Sequence, residues 1–104
     1  MSGSGGGGPY GGSGGRRTNC DIVESVALNS VQKDVLGSLL VGDELNVEVR
    51  EESLVATTEE GDVAGSLTPP RLAALLECID KGYEYKAAIL KIRGAYVEVE
   101  IRPR

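Results

Sequence analysis

Few side chains in this sequence are of the types that carry out catalysis. The chain of 104 residues contains no histidine, so a histidine base, a histidine-based triad and a histidine metal ligand are all excluded. Its two cysteines, Cys20 and Cys78, are not in a C-x-x-C arrangement, and a thioredoxin-type redox role therefore has no support. The sequence predicts a protein that is not an enzyme and that uses no cofactor or metal.

The carboxylates are the remaining source of acid–base chemistry. Glu48, Glu98 and Glu100 occupy the polar positions of segments that alternate between apolar and polar residues, where a solvated strand face is the ordinary explanation. Glu59, Glu60 and Asp62 cluster in a turn but lack the spacing of a calcium-binding loop. We therefore expect neither group to form a catalytic or metal site.

The cysteines leave two interpretations open. Two cysteines are too few for a disulfide framework, and no apolar export signal is recognisable, so reduced, buried thiols and a cytoplasmic location are expected. A Cys20–Cys78 disulfide is the alternative, because an even number of cysteines permits it.

One set of residues is of the types that bind nucleic acid. Small barrels bind single strands with aromatic platforms beside cations, and the C-terminal third of the chain offers both. Tyr83 and Tyr85 are expected to share one strand face, and their alternative role is to fill a core that has no Phe or Trp. The candidate nucleic-acid contacts are Tyr83, Tyr85, Lys86, Lys91 and Arg93.

Charge disfavours nucleic acid as the partner. The net charge is −5, and two of the eleven basic residues, Arg16 and Arg17, lie close to the N-terminus. The rest of the chain therefore repels phosphate backbones and anionic membranes, although a local basic patch is compatible with it. No apolar run is long enough to span a membrane, so no membrane partner is expected.

The chain divides into a leader and one small domain. Residues 1–18 are rich in Gly and Ser, which offer little to bury, so we expect a disordered tether. Residues 19–104 are long enough for one core and are predicted to form a single barrel-like domain. Apolar alternation predicts strands at 20–28, 45–50, 53–58, 62–67, 83–92 and 95–103, with a short helix or turn within 30–40.

One helix is predicted at about 69–81. Thr68 is a suitable N-cap, Pro69 suits the first helical position, and Gly82 ends the helix. The expected fold is therefore a β-rich α+β domain, a small curled sheet or barrel of five or six mostly antiparallel strands with one main helix. In the last strand, Val97, Val99 and Ile101 are expected to face the core.

An uncharged, β-rich run at 53–58 is predicted to be an edge strand. Such an edge can accept a strand from another protein, which makes Ser53, Val55 and Thr57 the candidate partner-binding residues.

Two stretches of the chain resemble a known family. "LLVGDELNVEVREE" and "VATTEEGDVAGSLTPPRLAALLECIDKGYEYKAAILKIRG" resemble the HIRAN domain in order and spacing over Leu40–Ile101. The resemblance implies a barrel-like fold and binding of the 3′ ends of single-stranded DNA. The family's segment between the Arg-Glu strand and the next strand is shortened here to "SLVATT", so no binding residue is transferred. The whole chain is also similar to short bacterial proteins that share its Gly-rich opening.

Two functions follow from these observations. The first is a non-catalytic bacterial interaction module that binds a protein partner through a sheet edge or barrel rim. The alternative is a HIRAN-like protein that binds the ends of single-stranded DNA.

Overall fold

The computed structural model describes residues 20–104, and the disorder expected for residues 1–18 lies outside that range. The described residues form six strands and two helices, as the apolar periodicity predicts. Their bounds are β1 Glu24–Ala27, α1 Lys33–Leu36, β2 Glu44–Arg50, β3 Ser53–Thr57, β4 Val63–Leu67, α2 Leu72–Asp80, β5 Tyr85–Arg93 and β6 Tyr96–Pro103.

All six strands form one antiparallel sheet in the order β1-β6-β5-β2-β3-β4. The sheet curls until its two outer strands meet, where Asn29, just after β1, and Ser66 of β4 exchange backbone hydrogen bonds of 2.9 and 2.8 Å. This contact requires glycine at position 65. A Cβ atom there would lie 2.8 Å from the carbonyl oxygen of Asn29 and 3.2 Å from the Cβ of Leu28.

The inner face of the sheet forms one apolar core. In β6 the predicted inward residues Val97, Val99 and Ile101 are fully buried, which confirms the alternation. Tyr85 is the only aromatic side chain of residues 20–104 in this core, because Tyr83 and Tyr96 are about half exposed. Aliphatic side chains therefore provide almost all of the buried volume, as a sequence without Phe and Trp requires.

The main helix is shorter than predicted. It begins at Leu72 rather than Pro69, because Pro70 disfavours helical backbone at the residue before it. The predicted cap, Thr68, instead accepts a hydrogen bond of 2.8 Å from the Nδ2 of Asn29. The C-terminal end agrees with the prediction, since Gly82 has a left-handed φ of 105° directly after the last turn.

The two cysteines are joined, and the expectation of reduced thiols is wrong. Cys20 and Cys78 form a disulfide across a sequence separation of 58 residues. Both residues are buried, and the Tyr85 hydroxyl donates a hydrogen bond to the Cys20 carbonyl beside the bridge. The segment before β1 is thereby fixed to the C-terminal half of α2.

Both outer strands of the sheet are contacted by segments outside the ladder. On β4, the carbonyl of Ala64 accepts a bond of 3.0 Å from the Gln32 N–H, next to the Asn29–Ser66 pair. Along β1, the Arg71 guanidinium binds the Glu24 carboxylate at 2.7 Å and holds the segment before α2 alongside. The backbone bonds at Ala64 and Ser66 therefore leave little of the β4 edge for pairing with another chain.

Candidate interaction surface at the barrel rim

The strand predicted to receive a partner is not an edge. β3 lies between β2 and β4 and is hydrogen-bonded to both, so its backbone has no side left for a further strand. Val55 and Thr57 are buried, and only Ser53 is exposed. The prediction of an edge here is wrong, because the number of charged residues in a run does not determine which strands flank it.

Thr57 has a structural role instead. Its hydroxyl donates a hydrogen bond of 2.7 Å to the Oε2 of Glu48 on β2, and the Arg50 guanidinium binds the other carboxylate oxygen at 3.1 Å. The hydrogen bond from Thr57 is the main cause of the lowered pKa of Glu48. Glu48 is therefore part of a cross-strand network rather than an acid or base available to a substrate.

The five residues predicted to contact nucleic acid are not brought together. Tyr85 is buried, and burial raises the pKa of its hydroxyl. Tyr83 precedes β5 in the turn after α2 and does not share a strand face with Tyr85, contrary to the prediction. Lys86 binds the Glu44 carboxylate at 2.8 Å and lies about 16 Å along β5 from Lys91.

Lys91 and Arg93 do lie together, at the tip of the β5–β6 hairpin. With Tyr96 they line a cleft of about 270 Å³, which we call the basic cleft. The Tyr96 hydroxyl donates a hydrogen bond of 3.2 Å to Glu98. Partial burial and this bond raise the pKa of Tyr96, while Arg93 opposes the rise, as expected of a cation nearby.

A β-bulge shapes this part of β5. Ile89 pairs with Val99 and Lys91 pairs with Glu98, so Leu90 is the extra residue without a partner on β6. A bulge shifts the alternation of side chains, and Leu90 and Lys91 are consequently both exposed. Leu90 has 43% of its surface accessible, which is unusual for a leucine in the middle of a long strand.

A tight turn beside the bulge exposes two more aliphatic side chains. Leu40 and Val41 are 68% and 63% exposed, although they lie in a well-formed turn. The Asp43 N–H bonds the Leu40 carbonyl at 3.0 Å, and the Asp43 carboxylate accepts the Leu40 N–H at 2.9 Å. Gly42 supplies the positive φ of 96° that the third position of a type II turn needs.

Backbone hydrogen bonds hold this turn against the bulge. The Gly42 N–H donates to the Ile89 carbonyl at 2.8 Å, and the Ile89 N–H donates to the Asp43 carbonyl at 2.9 Å. These bonds place the exposed residues Leu40 and Val41 next to the exposed Leu90 at the barrel rim, and we call the three residues the apolar patch. Sequence reasoning missed it, although two adjacent aliphatic residues entering a Gly-Asp turn were a visible signal.

An acidic depression lies between α1 and the β3–β4 turn. Asp34, Glu60 and Asp62 line it, beside Ser38 and Thr58. Among residues 20–104, no group of three or more His, Cys, Asp or Glu side chains is arranged to hold a metal ion. The depression therefore contributes to the acidity of the surface and offers no defined ligand set.

Within residues 20–104, no helix is long and apolar enough to cross a membrane. Comparison of the chain with protein-family models, with curated proteins and with solved structures found no match. The HIRAN resemblance and the DNA-end binding that it implies therefore stay predictions.

Proposed function

We propose that this chain is a non-catalytic interaction module that binds a protein partner at the barrel rim, through the apolar patch. The observation that supports the proposal is the exposure of Leu40, Val41 and Leu90 on one rigid part of the rim. Scattered exposed aliphatic residues are normal on proteins, but a group of them at one place marks an interaction site.

The exposed surface is large enough to contribute measurably to affinity. Full burial of a leucine or valine side chain stabilises a complex by about 1.5–3 kcal/mol. Since the three side chains are 68%, 63% and 43% exposed, covering the patch contributes about 3 kcal/mol at the lower end of that range. That corresponds to about a hundredfold in the dissociation constant.

The construction of the patch also favours binding. The hydrogen bonds of the 40–43 turn and those between the turn and β5 fix the backbone before a partner arrives. A preformed surface loses little conformational entropy on association, so more of the burial energy is retained as affinity.

A random-peptide phage library selected on the full chain tests this proposal. We expect peptides that bind the wild type and lose about a hundredfold in affinity for the variant Leu40→Ser/Val41→Ser/Leu90→Ser. The control is Val23→Ser/Tyr83→Ser, which removes two other exposed apolar side chains and should leave binding unchanged. Peptides that bind the Leu40→Ser/Val41→Ser/Leu90→Ser variant as tightly as the wild type would refute the proposal. A selection that enriches no peptide would refute it as well.

A second candidate function is the binding of single-stranded DNA ends, which the basic cleft favours because it combines two cations with an aromatic ring. The test is a titration of oligonucleotides with free and blocked 3′ ends at low salt. Binding that requires the free end and is lost in Lys91→Glu/Arg93→Glu supports this function, and no binding at low salt refutes it.

The bacterial cytoplasm expected from the sequence is also a proposal. The Cys20–Cys78 disulfide is the observation against it, since cytosolic thiols are normally kept reduced. The test is a titration of free thiols in protein that is denatured directly from its native cells. Two free thiols per chain support the cytoplasmic location, and no free thiols refute it.

A further inference from the structure

We infer that the protein segment bound at the apolar patch is acidic as well as aliphatic. Its aliphatic side chains cover Leu40, Val41 and Leu90, and its Asp or Glu carboxylates meet Lys91 and Arg93. The inference rests on the proposed function and adds the chemistry of the partner to it.

The first argument is the state of the cations. Among residues 20–104, Lys91 and Arg93 take part in no ion pair and no side-chain hydrogen bond. The other cations of the strands, and Arg104 after β6, are engaged with side chains of this chain. These contacts are Arg50–Glu48, Lys86–Glu44, Arg102–Glu100 and Arg104–Asn46.

The one acidic residue paired across the ladder from these cations has another partner. Glu98 is the cross-strand neighbour of Lys91, but its Oε1 accepts the hydrogen bond from the Tyr96 hydroxyl. Two exposed cations therefore lie beside one carboxylate, which leaves an excess of positive charge here in a chain whose net charge is −5. This part of the rim attracts negative charge while the rest of the surface repels it.

The second argument is the position of the cations relative to the patch. The bulge exposes Leu90 and Lys91 as consecutive residues, so an aliphatic contact and a cation lie side by side. Arg93 follows two residues later and can bind a carboxylate through two parallel N–H bonds. One extended or helical segment with neighbouring aliphatic and acidic side chains can reach both surfaces.

The apolar patch favours a peptide over a nucleic acid at this site. A nucleic acid brings a phosphate with every nucleotide, and the net charge of −5 disfavours so continuous a run of negative charge. A peptide can carry carboxylates only at the positions that face the cations. Its aliphatic side chains can also pack against Leu40 and Val41, whereas the sugars and phosphates of a nucleic acid are polar and do not. The partner that fits both features is an acidic, aliphatic protein segment.

The composition of the peptides selected on the full chain tests this inference. We expect the pool to be enriched in Asp and Glu together with Leu, Ile and Val. Affinity for these peptides should fall about tenfold in Lys91→Gln/Arg93→Gln, because each exposed ion pair is worth a few-fold. The control is Lys33→Gln/Lys81→Gln, which removes two exposed lysines, one in α1 and one directly after α2, and should change nothing.

Three outcomes overturn the inference and are distinguishable. In the first outcome, the selected peptides are aliphatic and depend on the patch, but they are not enriched in Asp and Glu and their affinity does not change in Lys91→Gln/Arg93→Gln. This result refutes the acidic partner and keeps the proposed function. A pool that does not depend on the patch refutes both. If oligothymidylate of matched charge binds more tightly than the acidic peptides and is lost in the Lys91→Gln/Arg93→Gln variant, the cations serve nucleic acid instead.

Discussion

Reduction of the Cys20–Cys78 bridge should remove a large part of the stability of this domain. The bridge closes a loop across 58 residues of sequence separation. In the chain-entropy model, such a loop lowers the entropy of the unfolded chain by about 14 cal/mol/K. At 25 °C this amounts to about 4 kcal/mol, against a total of about 5–15 kcal/mol for a typical domain.

The assay is urea unfolding followed by far-ultraviolet circular dichroism, with and without a phosphine reductant. We expect the free energy of unfolding to fall by about 4 kcal/mol on reduction, and the melting temperature to fall by about 20 °C. The double variant Cys20→Ala/Cys78→Ala is the matched control, because its stability should not respond to reductant.

Two results would show that the reasoning is wrong. A loss below about 1 kcal/mol on reduction would mean that the bridge does not restrict the unfolded chain as the loop-entropy model requires. Free thiols in the unreduced, denatured protein would mean that the two buried cysteines do not pair in solution.

Two further substitutions test other features of the fold. Gly65→Ala should destabilise the domain by about 1–3 kcal/mol in urea unfolding, because its Cβ would clash with backbone at the sheet closure. Gly37→Ala, where a Cβ would meet nothing within 4 Å, is the control, and equal effects of the two changes would contradict this account. Thr57→Val should lower stability at pH 7 by about 1–3 kcal/mol through loss of the hydrogen bond to Glu48. Because that bond lowers the pKa of Glu48 in the folded state, its contribution is present above the unfolded pKa and is lost as pH falls through the folded pKa. Urea unfolding at pH 7 and pH 3 should therefore show a smaller effect at pH 3, while Thr57→Ser keeps the bond, and a pH-independent loss would refute this role of Glu48.

Local features of the fold were predictable because they depend on local physical chemistry. The alternation in β6 determines which residues are buried, since successive side chains of a strand point to opposite faces. Gly82 ends the main helix because a left-handed φ there costs glycine nothing. The start of the helix was misplaced, since the restriction imposed by Pro70 on the preceding residue outweighs the suitability of Thr68 as a cap.

Features that depend on distant residues were not predictable in the same way. Whether Ser53–Thr57 is an edge depends on where β2 and β4 lie, and its own composition carries no such information. The pairing of the two cysteines likewise depends on the curl that brings Cys20 to α2.

The bulge at the candidate site shows in the burial pattern of β5 and not in the sequence, where Ala87 to Leu90 are all apolar. Buried positions in β5 recur every two residues at Tyr85, Ala87 and Ile89, and the next partly buried position is Ile92, three residues later. The change in the spacing of buried positions from two residues to three marks the bulge that exposes Leu90 and Lys91. An isolated change of this kind is also compatible with the end of a strand, so the cross-strand register was needed to interpret it.

The position of the disulfide determines how mechanical load passes through the molecule. A force applied to the chain before Cys20 and to the chain end at Arg104 reaches the bridge first and crosses directly to Cys78. The covalent path then continues only through the end of α2 and the β5–β6 hairpin, so β1 to β4 lie outside it as a closed loop. Tension on the N-terminal segment would therefore peel the C-terminal hairpin from its neighbours, whereas after reduction the same force would first detach β1 from β6.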